Sequence, residues 1–420
     1  MGHTLSESKK IIKYPRKRRR HILDYFSASK EGIITGAADN DPAGIATFAQ
    51  VGATTGFSLI WLLALITPLI IAVEEMSARI GVVTKKGLNT VIRNNYGAKL
   101  AITAGLIVFL CNMVTIGANI VAVSEIIGAL THINWAWLVL PITILISTFL
   151  IKNSYSSISK YLIIVTIALL FYVAAAFFIR IDTHALVTQL WPIQMTGSTI
   201  FLIAAVALLG TTISPYLIFW QTTEEVENKT SIKDLRKTHS GVALGFIYAN
   251  LIALVIILLA ASVFNGNTLI ETTTEAATML QPLAGDWAFL LFSFGIVGSG
   301  LIGIPVLAAS TAYVGAEAFS WPEGLSKKIK KAKGFYSIMI GAILMGGLLA
   351  LTHVPPMIML LYTQVLNGLL TPILIILLMM ISNNKKIMGK HTNRFWSNAL
   401  GILSLVVMIG FDVLLLIKLF

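Results

Sequence analysis

Residues Gly36 to Thr47 read Gly-Ala-Ala-Asp-Asn-Asp-Pro-Ala-Gly-Ile-Ala-Thr. They set Asp39, Asn40, Asp41, Pro42 and Gly44 inside an apolar run that otherwise extends from about Ile33 to the turn at Gly56. Pro42 removes a backbone donor and clashes with the preceding turn, and Gly36 and Gly44 let the chain leave helical geometry. Such a run reads as a membrane helix broken near its middle. In hydrocarbon each unpaired backbone group costs several kcal/mol, so unwound backbone at that depth must be covered by protein or satisfied by a polar cavity or ligand. Two carboxylates beside freed carbonyls make an all-oxygen, negatively charged nest that suits a cation. The bland reading is a proline kink whose aspartates pair with a neighbouring helix.

A second interruption, Gly210-Thr-Thr-Ile-Ser-Pro215-Tyr216, adds Thr211, Thr212 and Ser214, whose oxygens either ligate or merely cap the broken helix ends. Gln364 and Asn367 stand three apart and share a helix face, as ligands or as interhelical glue. Glu74 and Glu75 either line a polar route or pair with Arg79. Gln221, Glu224 and Glu225 read as a solvated mouth cluster. Asn112, Asn119 and Glu125 read as packing or pathway residues. No phosphate-binding glycine loop, no plausibly placed Ser/His/Asp set and no His/Cys metal cluster occurs, so no enzyme and no cofactor are expected. Cys111 is the single cysteine and has no disulfide partner.

These residues must be carried by membrane helices. The chain has 420 residues, of which 56% are hydrophobic and 12% charged, with a mean hydropathy of +0.83. Spans of about 20 apolar residues recur along its whole length. Eleven are expected, near 33–56, 57–80, 98–130, 135–151, 157–179, 197–225, 241–264, 287–319, 335–351, 356–381 and 396–417. The fold class is therefore an all-α polytopic membrane protein. No secretory signal is apparent.

The net charge of +12 is distributed so as to orient the chain, not to bind nucleic acid. With the amino terminus cytoplasmic, the tail and the loops around Lys85, Lys152, Lys160, Lys229, Lys327 and Lys385 all fall inside, while Arg180 and Lys418 alone fall outside. The basic tail, residues 1–23, is expected to lie on anionic lipid. Trp135, Trp137, Trp191, Trp287, Trp321 and Trp396 sit near span ends and read as interfacial anchors. The second break lies five spans after the first, so the two halves have opposite orientation, the pattern of a transporter with its site between repeats. The expected divisions are the tail, a first repeat at 24–180, a second at 181–382 and an extra helix at 383–420, whose end lies outside.

At this point the residues resemble the Nramp family of divalent-metal transporters, within the group that has the five-plus-five inverted-repeat, LeuT-like fold. The resemblance rests on Asp41-Pro42-Ala43-Gly44-Ile45-Ala46-Thr47, on Arg79-Ile-Gly-Val-Val-Thr84, on Ser214-Pro215-Tyr216 and on Gln364. It implies that Asp41 and Gln364 are cation ligands; the residues themselves add Ser214, Asp39 and Thr211 as candidate metal ligands. The family's asparagine is Gly44 here, its methionine is Ser214, its histidine is Tyr216, and Asn119 stands near its helix 3 glutamate. If the Asp39 segment stays helical, Asp39 and Asp41 point to different faces. The lost thioether makes the site harder, and a tyrosine is a poor proton relay at neutral pH.

The expected function is import of a divalent cation, Mg²⁺ or Mn²⁺, by alternating access with weak or absent proton coupling. The protein would sit in the plasma membrane and work as a monomer, with Asn40, Gly44, Thr212, Tyr216, Asn119, Asn367, Glu74 and Glu75 along the pathway. The alternatives are an organic-solute carrier of the same fold, which the two aspartates oppose, and a non-transporting receptor or scaffold.

Overall fold

The computed structural model describes residues 32, 35–153, 183–190, 197–264, 266, 268–281, 285–352 and 354–420. Among these there are helices and connections but no strands. The basic tail, the span expected at 157–179, Lys160, Arg180 and Trp191 lie outside the described residues.

The first break is present. Residues 35–38 are helical, Asp39 and Asn40 form a turn, Asp41 is a bend, and the helix resumes at Pro42. From there the chain forms α1 (Pro42–Thr55), α2 (Ile60–Thr84), α3 (Leu88–Tyr96), α4 (Ala98–Thr131), α5 (Trp135–Lys152) and α6 (Thr183–Leu190). The second half contains α7 (Thr199–Thr212), α8 (Pro215–Glu227), α9 (Leu235–Phe264), α10 (Thr273–Ala277), α11 (Ala288–Phe319), α12 (Lys333–Leu349), α13 (Pro356–Asn383), α14 (Lys385–Met388) and α15 (Phe395–Leu419). Counting α7 and α8 as one broken stretch, eight helical stretches among the described residues are long and apolar enough to cross a membrane. Most boundaries agree with the hydropathy pattern; α9 starts at Leu235 rather than near Gly241, because its first turns carry Arg236, Lys237 and His239 beyond the apolar run.

The two breaks are built alike. Asp41 (φ −69°, ψ 173°) and Ser214 (φ −89°, ψ 142°) are extended, and each precedes a proline at the first position of the next half-helix. A proline disfavours helical geometry in the residue before it and suits a helix start. Two short sequence signals thus place a polar side chain at each half-helix start.

Around the breaks, α1 packs against α9, α7 and α13, while α4 lies along α11. At Gly210 a Cβ would come 2.0 Å from the Gln364 carbonyl oxygen and 2.3 Å from the Gly368 nitrogen, so α7 and α13 meet backbone to backbone. The last helix is not loosely appended. α15 packs on α2, α7 and α13, and Arg79 donates to the His391 and Thr392 carbonyls at 3.2 and 3.1 Å, tying α2 to the segment before α15. The Arg79 motif is therefore a structural clasp. Trp137, Trp287, Trp321 and Trp396 are exposed, as anchors at a membrane interface should be.

Replacing Gly210 by alanine is expected to destabilise the protein by about 1–3 kcal/mol through overpacking. Gly341, where a Cβ meets nothing within 4 Å, should tolerate alanine or gain about 0.5–1 kcal/mol from helix propensity. Thermal unfolding of the two purified variants in detergent, followed by fluorescence and size exclusion, checks the contrast.

Candidate functional site

Asp41 is the side chain on which the first break closes. It caps α1: its Oδ1 accepts from the Gly44 backbone N–H at 2.7 Å, and its Oδ2 accepts from Asn119 Nδ2 at 2.8 Å. Asn119 Oδ1 in turn accepts from the Ala43 N–H at 3.0 Å. One amide on α4 therefore holds both the carboxylate and the backbone of the first turn. All of these groups are buried, where hydrogen bonds to a charged acceptor are strong.

Gly44 opens the space beside that carboxylate. A Cβ on Gly44 would lie 2.5 Å from the Asp39 carbonyl oxygen, 3.3 Å from Thr211 Oγ1 and 3.4 Å from Asp41 Oδ1. Three oxygens from the two breaks therefore surround one point. On the other side Gly303 of α11 admits Asp41, whose Cβ would lie 2.5 Å from a Cβ at that position. Among the described residues no group of three His, Cys, Asp or Glu side chains could hold a metal together. The site is thus one carboxylate with carbonyl and hydroxyl oxygens, a hard donor set.

The second break contributes unequally. The Ser214 hydroxyl lies within donating distance of the Gly210 and Thr211 carbonyls, at 2.8 and 2.7 Å, which leaves its lone pairs available. Thr212 likewise bonds back, to the Leu208 carbonyl at 2.9 Å within α7, so both hydroxyls serve backbone carbonyls at the end of α7. Tyr216 donates its hydroxyl to the Ala38 carbonyl at 2.8 Å, joining the start of α8 to the helical turn ahead of the first break. Gln364 and Asn367 do share a face, but they bond to one another: Asn367 Nδ2 donates to Gln364 Oε1 at 2.8 Å, and Gln364 Nε2 reaches Thr363 Oγ1 at 3.3 Å. In this conformation the Gln364 side chain is engaged along α13, while its backbone carbonyl meets α7.

Asn40 Nδ2 donates weakly to the Ala249 carbonyl of α9 at 3.4 Å. Glu74 and Glu75 separate. Glu75 pairs with Arg79 at 3.2 Å, whereas Glu74 is buried and neither of its oxygens has a hydrogen-bond partner among the described residues. The same is true of both Asp39 oxygens.

One expectation is corrected. Gln221, Glu224 and Glu225 are not a solvated cluster, because all three side chains are buried. Glu224 accepts from the Thr35 hydroxyl at 2.6 Å and Gln221 donates to Glu225 at 3.1 Å, so α8 continues a polar seam from the break toward the basic loops. Asn112 proves to be glue, donating to Leu307 O at 3.2 Å and Thr311 Oγ1 at 2.9 Å on α11. In the loop after α11, burial pushes the Glu323 carboxyl up to about 7, with Lys327 opposing and Glu227 adding to the shift.

The sequence reading missed Gln50 and Gln189. Gln50 brackets residue 270: its Oε1 accepts from the Ile270 N–H at 3.1 Å and its Nε2 donates to the Ile270 carbonyl. With Thr268 N–H donating to the Ala53 carbonyl at 2.9 Å and Phe57 N–H to Gln189 Oε1 at 2.8 Å, the end of α1 away from the break is sealed by the chain between α9 and α10 and by α6. A lone glutamine inside the apolar α1 was the available signal.

Comparison with known proteins agrees with this architecture. The chain is 27% identical over 410 residues to the divalent metal cation transporter MntH of Yersinia pestis (strain Pestoides F), covering 92% of this chain and 94% of that protein. It is 28% identical over 397 residues to the MntH of Aeromonas hydrophila, covering 90% and 92%. A crystal structure of the Eremococcus coleocola manganese transporter, bound to an aromatic bis-isothiourea substituted compound, superposes with a TM-score of 0.75 at 15% identity over 96% of this chain and 87% of that one. Mhp1, a nucleobase-cation-symport-1 family transporter, superposes at 0.51 and 13% identity over 92% of each chain. The fold is thus the LeuT-like inverted-repeat arrangement, with the first break just before α1 and the second between α7 and α8. The model of the family described as natural resistance-associated macrophage protein-like matches residues 32–418. With nearly the whole described chain inside that match and both breaks in place, the protein belongs to the Nramp family.

Proposed function

We propose that the protein is a secondary transporter that carries a divalent metal cation, Mg²⁺ or Mn²⁺, across the plasma membrane and into the cell. The observation that carries this reading is the convergence of the Asp41 carboxylate, the Asp39 carbonyl and the Thr211 hydroxyl on the space that Gly44 leaves open. Ser214 lies one break away, and Gln364 would complete the set by turning from Asn367. Every donor is oxygen. Hard cations that keep part of their water suit such a site, and the missing side chain at position 44 leaves room for that water. The MntH relatives are divalent metal cation transporters by name, which supports the substrate class.

Alternating access is supported by the asymmetry of the two ends. The chain between α9 and α10 is hydrogen-bonded over the end of α1, whereas buried polar side chains lead from the break along α8. Weak or absent proton coupling is supported by the groups at the two positions where the family resemblance implies a relay. Tyr216 spends its proton on the Ala38 carbonyl, and Asn119 holds Asp41 through an amide that does not titrate near neutral pH. The charge asymmetry of the loops supports a cytoplasmic amino terminus and an outer carboxy terminus. The repeats at 24–180 and 181–382, the extra helix at 383–420, the tail on anionic lipid and a monomeric carrier complete the reading.

Purified protein in liposomes should admit Mg²⁺ or Mn²⁺ without acidifying the interior. Asp41→Ala should lower that uptake roughly 100-fold or more, the scale of leaving a buried charge without its partner. Uptake with acidification would overturn the coupling claim, and absence of divalent flux would overturn the substrate class. Ser214→Met should shift selectivity from Mg²⁺ toward Mn²⁺ and Cd²⁺ because a thioether favours softer ions. An unchanged ratio of competing uptake rates would remove the argument from donor softness.

A further inference from the structure

Asp39 and Glu74 are the two carboxylates that the site at Gly44 does not use. Asp39 is 1% exposed and Glu74 0% exposed, and none of their four oxygens has a hydrogen-bond partner among the described residues. They come from different elements, the turn before α1 and the middle of α2. Among the described residues, the charged groups that act on Asp39 are Asp41 and Glu74, and both are acidic. The nearest basic side chain along α2, Arg79, is committed to Glu75 and to the 391–393 segment.

A second feature points the same way. The hydroxyl of Tyr216 is buried and feels Asp39, Asp41 and Glu74 together, which makes it the natural donor to any of them. It is turned instead to the Ala38 carbonyl. Its proton therefore goes to neither Asp39 nor Glu74, whose oxygens keep no donor among the described residues. Two ionised carboxylates left bare in a low-dielectric interior would be very costly, and a cation removes that cost. Asp41 has both of its oxygens hydrogen-bonded, whereas Asp39 and Glu74 have none of theirs bonded among the described residues, which sets those two apart from Asp41.

We propose that the Asp39 and Glu74 carboxylates hold a second divalent cation, bound through part of its hydration shell, one step from the Asp41 site toward the basic face. Asp39 then serves both positions, giving its carbonyl to the first and its carboxylate to the second. A hydrated ion suits a pair of buried carboxylates, since Mg²⁺ and ions like it are often held by one or two carboxylates through retained water. Beyond Glu74 the seam continues in Thr35, Glu224, Gln221 and Glu225. α2 and α8 touch there, where Thr222 donates to the Ser77 carbonyl at 3.1 Å, one turn past Glu74. The second position lies on the route by which an ion leaves the first.

This inference rests on the divalent-transport reading, and equilibrium dialysis of the purified full chain against Mn²⁺ separates the two. The wild type is expected to bind two ions, Glu74→Gln one, Asp41→Ala one, and the double variant none. Size exclusion of each variant verifies that the fold is kept, and the wild-type count stands even if a variant fails. A single ion in the wild type, kept in Glu74→Gln and lost in Asp41→Ala, would overturn the second position while leaving the transport reading intact. Two ions that survive Glu74→Gln would also overturn it. No bound Mn²⁺ in the wild type would remove both claims.

Discussion

A backbone carbonyl or amide that leaves its helix inside a bilayer has no water to turn to, and the structure is arranged around that constraint. Proline forces the interruption at two places, and each is repaired by neighbours. Asp41 and Asn119 take the amides of the first turn of α1, Ser214 turns back to the last carbonyls of α7, and Tyr216 takes the Ala38 carbonyl. What remains after this repair is a small set of oxygens around Gly44. The site is the residue of the backbone's own accounting of donors and acceptors.

The electrostatics follow from the same economy of groups. Asn119 offers a donor to the Asp41 carboxylate and an acceptor to the Ala43 amide, which an acid at that position could do only in one protonation state. The carboxylate is therefore positioned without a compensating charge. In the proposed carrier its negative charge stays available to an incoming ion. Gly303 and Gly44 keep both flanks of Asp41 free of side-chain bulk, so the protein shapes the site as much by what it omits as by what it supplies.

Much of this was legible in the chain. Hydropathy located most of the described spans to within a few residues, and Pro42 and Pro215 located both breaks when read with the glycines and clustered polar residues beside them, although Pro68, Pro141, Pro305 and Pro372 lie inside continuous helices. Asp41 was readable for the same reason, as the polar residue ahead of a proline in an apolar run. The partners were not. That Asn119 bonds Asp41, that Tyr216 reaches Ala38 and that Gln50 brackets residue 270 depend on side chains 78 to 220 positions from their partners. Gln221, Glu224 and Glu225 looked solvated because acidic residues at a helix end usually are; here α8 buries them against α2 and the chain before the first break.

The Tyr216 hydroxyl bond has a kinetic meaning. It links the start of one half-helix to the turn ahead of the other break, so the proposed alternating access, if it parts the two breaks, would have to give it up. A neutral hydrogen bond contributes a net of about 1 kcal/mol, or roughly a five-fold weighting of one population over the other. That is enough to weight the ensemble modestly toward apposed breaks. An ionic clasp in the same place would have traded that reversibility for a deeper resting state.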